Sequence, residues 1–79
     1  MIDPTGPVAP YLQVAAILER EIREGKYPKG SRIPTESDLV QRFEVARSTD
    51  RRSIAHLREL GLIMTVPQRG SYVRGDLPA

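Results

Sequence analysis

Val45-Ala46-Arg47-Ser48-Thr49-Asp50-Arg51-Arg52-Ser53-Ile54-Ala55-His56-Leu57-Arg58-Glu59-Leu60-Gly61 is the stretch on which the reading of this chain turns. Ile54, Leu57 and Leu60 recur every three residues, which predicts one buried stripe on a helix. Gly61 ends that helix, because glycine adopts the left-handed C-terminal conformation without steric cost. At ~100° per residue, Arg47, Ser48, Arg51 and Ala55 fall on the face away from the stripe. A helix end that exposes arginine and hydroxyl side chains suits the DNA major groove. Arginine forks match guanine edges, and hydroxyls reach phosphates or bases. Taken alone, the segment is equally compatible with a solvated amphipathic helix.

The preceding residues sharpen the choice. Thr35-Glu36-Ser37-Asp38 has the pattern of a capping box, Thr35 capping a helix and Asp38 reaching back. Leu39, Val40 and Phe43 give that helix its apolar side. Glu44-Val45-Ala46 leaves room only for a turn, so two short helices follow each other as a helix-turn-helix, whose second member reads DNA. Upstream, Asp3–Pro10 holds three prolines and a glycine and predicts an irregular arm over residues 1–9. Pro10 fits a first helical turn. A first helix then runs to about Glu24, with Leu12, Ala15, Leu18 and Ile22 as its stripe and Val14 and Ile17 beside it. Glu19, Arg20, Glu21, Arg23 and Glu24 are read as its solvated face. Tyr27-Pro28-Lys29-Gly30 reads as a type I turn. Ser31-Arg32-Ile33 is extended before Pro34 and predicts a short strand near Ile33.

Beyond Gly61 the apolar period becomes extended. Leu62–Val66 and Ser71–Arg74 predict two strands joined at Pro67-Gln68-Arg69-Gly70, with Gly70 free to take a positive φ. Residues 75–79 read as a linker start or a frayed end. The predicted fold is mainly α with a small β-sheet: a winged helix-turn-helix of three helices and a C-terminal hairpin wing, spanning residues 10–74.

Composition bounds the function. With 79 residues this is one domain with a small core, burying about 60% of its unfolded surface. No apolar run approaches the ~18 residues that would span a bilayer. There is no cysteine, which excludes disulfides and thiolate metal sites. Met1-Ile2-Asp3 lacks the blocks of a secretory signal, and a cytoplasmic location is the default expectation. The net charge of +2 is unevenly spread. Residues 1–41 carry five Lys/Arg against six Asp/Glu; residues 42–74 carry seven Arg against three acids. A basic half favours a polyanionic partner. No nucleophile with a base, phosphate loop or metal-ligand spacing is present, so no enzyme and no cofactor are expected. His56 reads as a surface histidine.

In order and spacing, the residues resemble the N-terminal DNA-binding domain of the GntR family of bacterial transcriptional regulators. The resemblance is carried by Tyr11-Leu12-Gln13-Val14-Ala15, Ile22 with Gly25, and Gly30-Ser31-Arg32-Ile33-Pro34-Thr35-Glu36. Leu39, Phe43, Val45, Arg47, Thr49, Arg51, Leu57–Ile63 and Arg69-Gly70-Ser71-Tyr72-Val73 complete it. It implies a regulator, expected to be a repressor, that binds two-fold-related operator half-sites as a homodimer. The start of the third helix would enter the major groove and the wing the minor groove. Arg47 and Arg51 match base-reading arginines, and Ser48 and Thr49 match phosphate or base contacts. Thr35 and Glu36 open a helix whose N–H groups face a phosphate, and Gly70 matches the wing glycine. With Ser37, Arg52, Gln68 and Arg69, these form the expected DNA surface.

Three positions depart from the family. Ser37 stands where many members have a DNA-contacting arginine. Ala46 replaces the usual Ser or Thr cap. Asp50 replaces a small aliphatic residue. Asp50 lies ~20° from Leu57 on the helical wheel, inside the buried stripe. It is therefore expected to be partly exposed or paired with Arg32 or Arg42, or to sit at the second position of a helix capped by Ser48. The family normally continues into an effector-binding, dimerising domain, so a small-molecule effector is expected only with such a domain. A chain of this length is a fragment or a short stand-alone member. The competing reading is a winged-helix protein-interaction module without DNA binding, which would more often expose apolar residues on the third helix.

Overall fold

The computed structural model describes residues 2–75 of the chain. Met1 and residues 76–79, which include most of the expected linker, lie outside the described residues. Helix α1 spans Pro10–Arg23, α2 Glu36–Phe43 and α3 Arg47–Glu59; strands β1 (Ile63–Val66) and β2 (Gly70–Val73) form an antiparallel hairpin.

Each element follows from its local sequence. Pro10 opens α1, where its missing N–H is harmless. The Thr35 hydroxyl accepts from the Asp38 N–H, and the Asp38 carboxylate accepts from the Thr35 N–H, completing the capping box. Glu44, with φ +53°, makes the left-handed break between α2 and α3. Helix α3 begins at Arg47 behind Ala46, which supplies no side-chain cap. The later start at Ser48 is thus not adopted, and Asp50 sits at the fourth helical position.

At the far end, Gly61 has φ +78°. Its N–H donates to the Arg58 carbonyl while that of Leu62 donates to the Leu57 carbonyl, a Schellman ending. The reversal carries Leu62 into the core and leaves Leu60 outside, 49% exposed. The expected stripe therefore closes with Leu62, not Leu60.

The core joins Val14, Ala15, Leu18 and Ile22 of α1 to Leu39 and Phe43 of α2 and Leu57 of α3. Ile33, Leu62, Ile63 and Val73 seal it from the wing side. Ser53 is fully buried where α3 meets α1, and its hydroxyl contacts the Tyr11 and Thr49 carbonyls, each at 2.9 Å. In the hairpin, Ile63 pairs with Val73 and both face the core. The segment before Pro34 joins the hairpin through a single bridge between Arg32 and Tyr72, so the short third strand expected near Ile33 is reduced to one paired residue beside a two-stranded sheet. The turn leading into it differs from expectation. Its hydrogen bond runs from the Ser31 N–H to the Pro28 carbonyl, one residue later, with Gly30 third in the turn at φ +81°.

Glu21 also corrects the sequence reading. It is 7% exposed rather than solvated, and both its oxygens accept from the Arg42 guanidinium, one of them at 2.9 Å. Tyr27 and Lys26 add bonds at 3.2 and 3.4 Å. The Arg42 hydrogen bond holds the Glu21 carboxyl at about 2, against the opposing effect of burial. The pair fixes α2 against α1 and thereby sets where the turn delivers α3. The arm is also more ordered than an irregular segment suggests. The Gln13 amide donates to the Asp3 and Val8 carbonyls and accepts from the Asp3 N–H, tying the arm to α1.

Candidate nucleic-acid interface

One face of the molecule gathers the start of α2, the exposed side of α3 and the wing around an open cleft of about 460 Å³. Glu36, the first residue of α2, is its organising group. Its carboxylate accepts from Arg47 Nη1 at 2.9 Å, from Arg51 Nε at 2.6 Å and from Arg51 Nη2 at 3.3 Å. Arg47 also lies 3.4 Å from the Ser37 hydroxyl. Arg51 and then Arg47 hold the Glu36 carboxyl below its usual range, and Glu36 in turn raises the Arg51 guanidinium. The two expected base-reading arginines are thus presented side by side from successive turns of α3. More than half of each side chain remains open to solvent.

The remaining expected residues are distributed around this pair. Thr35 caps α2 and Ser48 is exposed beside Arg47, whereas Thr49 is half-buried. Arg52 is directed elsewhere: its guanidinium lies 4.0 Å over the Tyr11 ring on α1, and His56 meets the same ring edge-on at 6.1 Å. Gln68 and Arg69 stand exposed at the wing tip, with Gln68 in the left-handed region at φ +64°. Gly70 has φ +115°, and a Cβ built there would lie 2.8 Å from Arg32 Nε. Tyr72 is half-buried with its hydroxyl 3.4 Å from the Arg69 carbonyl.

Two features of this face escaped the sequence reading. Arg32 lies against Gly70 and lines the cleft, adding a basic group between wing and α2. Arg58 donates to the Thr65 hydroxyl at 3.0 Å, which in turn meets the Ser71 hydroxyl at 3.0 Å. This chain ties α3 to both strands of the wing and fixes the angle between them.

Asp50 overturns its expectation. It is 1% exposed, and neither carboxylate oxygen has a hydrogen-bond partner among the described residues. Arg42 is committed to Glu21, and Arg32 stands over Gly70. The wheel placed Asp50 correctly in the buried stripe; the rescue by exposure or pairing does not occur. Burial pushes its carboxyl up to about 6, the Glu36 charge acts in the same direction, and Arg47 opposes them.

A helix-turn-helix with a hairpin beside its second helix, its basic face turned outward, defines the winged helix-turn-helix class. Residues 10–73 match the profile of the family described as bacterial regulatory proteins, gntR family. The chain belongs to the GntR family. It is 35% identical over 69 residues to the HTH-type transcriptional regulator SmoD of Agrobacterium fabrum, covering 87% of this chain and 30% of that protein. It is 43% identical over 60 residues to the probable transcriptional regulator PhnF of Escherichia coli, covering 76% of this chain and 24% of PhnF. The chain therefore spans less than a third of the length of these relatives. The fold matches the AraR DNA-binding domain, solved in complex with operator ORR3, with a TM-score of 0.80 at 33% identity. The match covers 92% of this chain and 94% of that one. No helix among the described residues is long and apolar enough to cross a membrane.

Proposed function

We propose that this domain binds duplex DNA sequence-specifically as the reading head of a bacterial transcription regulator, working in the cytoplasm. The observation that carries this reading is the pair Arg47 and Arg51, projected from the open end of α3 and aligned by Glu36. Two guanidinium forks on one helix face, one turn apart, suit guanine edges in the major groove. The N-terminus of α2 places backbone N–H groups and its dipole toward a phosphate. The wing tip, with Gln68, Arg69 and Gly70, reaches the flanking minor groove. Ser48, Thr49 and Ser37 supply further polar contacts, and Arg52 reaches a phosphate if it leaves Tyr11. The operator complex of the similar AraR domain supports the reading.

The regulator acts as a homodimer on two-fold-related half-sites, and occupation of such a site represses by excluding polymerase. A small-molecule effector enters only through a further domain. Selection from a random-sequence duplex library, followed by footprinting, tests the proposal. Enrichment of a preferred motif in two-fold-related copies is expected. Recovery of no preferred sequence would contradict it and favour a protein-interaction module.

A further inference from the structure

Asp50 is a buried titratable group for which the DNA-reading surface has no use. It sits in α3 between Arg47 and Arg51, the two arginines that Glu36 clamps. It contributes to the floor of the cleft, yet both oxygens are sealed from solvent and unpartnered among the described residues. The charged groups that line the cleft with it are Glu36 on α2, Arg51 and Arg58 on α3, and Arg32 on the segment bridged to the wing; of the charges nearby, Glu36 and Arg47 act on its carboxyl in opposite directions. The strands add only hydroxyls and backbone, at Thr65, Gly70 and Ser71.

DNA on this face would change the field at Asp50 in one direction. Phosphates bring negative charge toward the cleft. Arg47 and Arg51 turn from Glu36 to base edges, so the cation that opposes protonation moves away while Glu36 loses its neutralising partners. Nearer anions and farther cations both favour the neutral carboxylic acid. We propose that the domain takes up a proton at the Asp50 carboxyl when it closes on duplex DNA, so that acidification tightens DNA binding.

This inference rests on the DNA-binding reading above. Its sign follows from the titration. The free domain sheds the proton as pH rises through about 6; the complex holds it to higher pH. Between those two values affinity falls as pH rises, and outside them it is flat. Each unit by which DNA raises the carboxyl gives about a tenfold gain in affinity across the window.

The test measures binding to the duplex enriched by selection, at constant ionic strength, from pH 5.5 to 7.5. Histidine ordinarily titrates in that range, so the parent is His56→Gln. Asp50→Asn, an isosteric mimic of the neutral acid, and Asp50→Val are compared with it. In parallel, NMR follows the Asp50 carboxyl carbon with and without the duplex. Affinity that rises several-fold on acidification in the parent but stays level in both variants, with the Asp50 titration moving upward on the duplex, is the expected result. A level profile in the parent, or an equal slope in the variants, would overturn the proton linkage while leaving DNA binding intact. Recovery of no duplex at any pH would overturn this inference together with the DNA-binding reading.

Discussion

Asp50 holds its proton more tightly in the folded chain than in the unfolded one, with its carboxyl at about 6 against an ordinary 3.8. Below about pH 4 both states are protonated and the residue carries no charge penalty. As pH rises from about 4 to 6, the unfolded chain ionises first and stability declines; above about 6 the penalty is fully present, on the order of 2–3 kcal/mol. We therefore predict that Asp50→Val stabilises the domain by about 2 kcal/mol at pH 7 and by much less at pH 4. Urea unfolding at the two pH values measures it; a destabilised variant at pH 7 would mean that the carboxylate is satisfied in solution. Glu21 is the counterpart with opposite sign. Its carboxyl is lowered to about 2, so its contribution is present above about pH 4.5 and lost on acidification toward 2. The same wheel arithmetic reveals both residues. Asp50 lies seven positions before Leu57 and Glu21 seven after Val14, each ~20° from a fully buried neighbour. Burial was therefore legible for both. The partner of Glu21, Arg42 in the next helix, was not, because helical spacing says nothing about which distant side chain faces a buried charge.

Helices and wing were legible where local chemistry decides them and obscure where packing does. The Thr35 capping box, Pro10, Gly61 and the apolar run after Gly61 each act within a few residues, and each element forms as they dictate. Leu60 was misplaced because periodicity assumes that the helix continues, whereas the Schellman turn redirects the chain and buries Leu62. The place of Arg32 against Gly70, rather than beside Asp50, was not legible because Gly70 is far along the chain and is brought to it by the bridge between Arg32 and Tyr72. Gly70 now has two reasons to be glycine: a positive φ and the Arg32 guanidinium where a Cβ would lie. Gly70→Val is expected to strain the wing by about 1–2 kcal/mol. Hydrogen exchange should show reduced protection of the β1–β2 amides while α1, α2 and α3 remain protected. Unchanged protection of the hairpin would mean that the turn accommodates a side chain.

For the whole molecule, the bundle, the Glu21–Arg42 tie and the Arg58–Thr65–Ser71 chain hold α2, α3 and the wing as one surface. The arginine pair on that surface was legible from spacing and resemblance; its alignment by a single carboxylate, Glu36, required the fold. A surface making roughly 4–6 phosphate contacts per domain should lose affinity with added salt, with a log–log slope of about −4 to −5. Fluorescence anisotropy across a salt series measures the slope, and a salt-independent isotherm would remove the electrostatic basis of the account. The most direct measurement is binding of Arg47→Ala to the selected duplex and to a scrambled duplex of equal length. Loss of a guanine-reading fork should weaken binding to the selected duplex by ~1–3 kcal/mol, with a smaller loss on the scrambled one and nearly unchanged fold stability. If Arg47→Ala binds the selected duplex as tightly as the parent domain does, α3 does not read DNA through this arginine and the central claim fails.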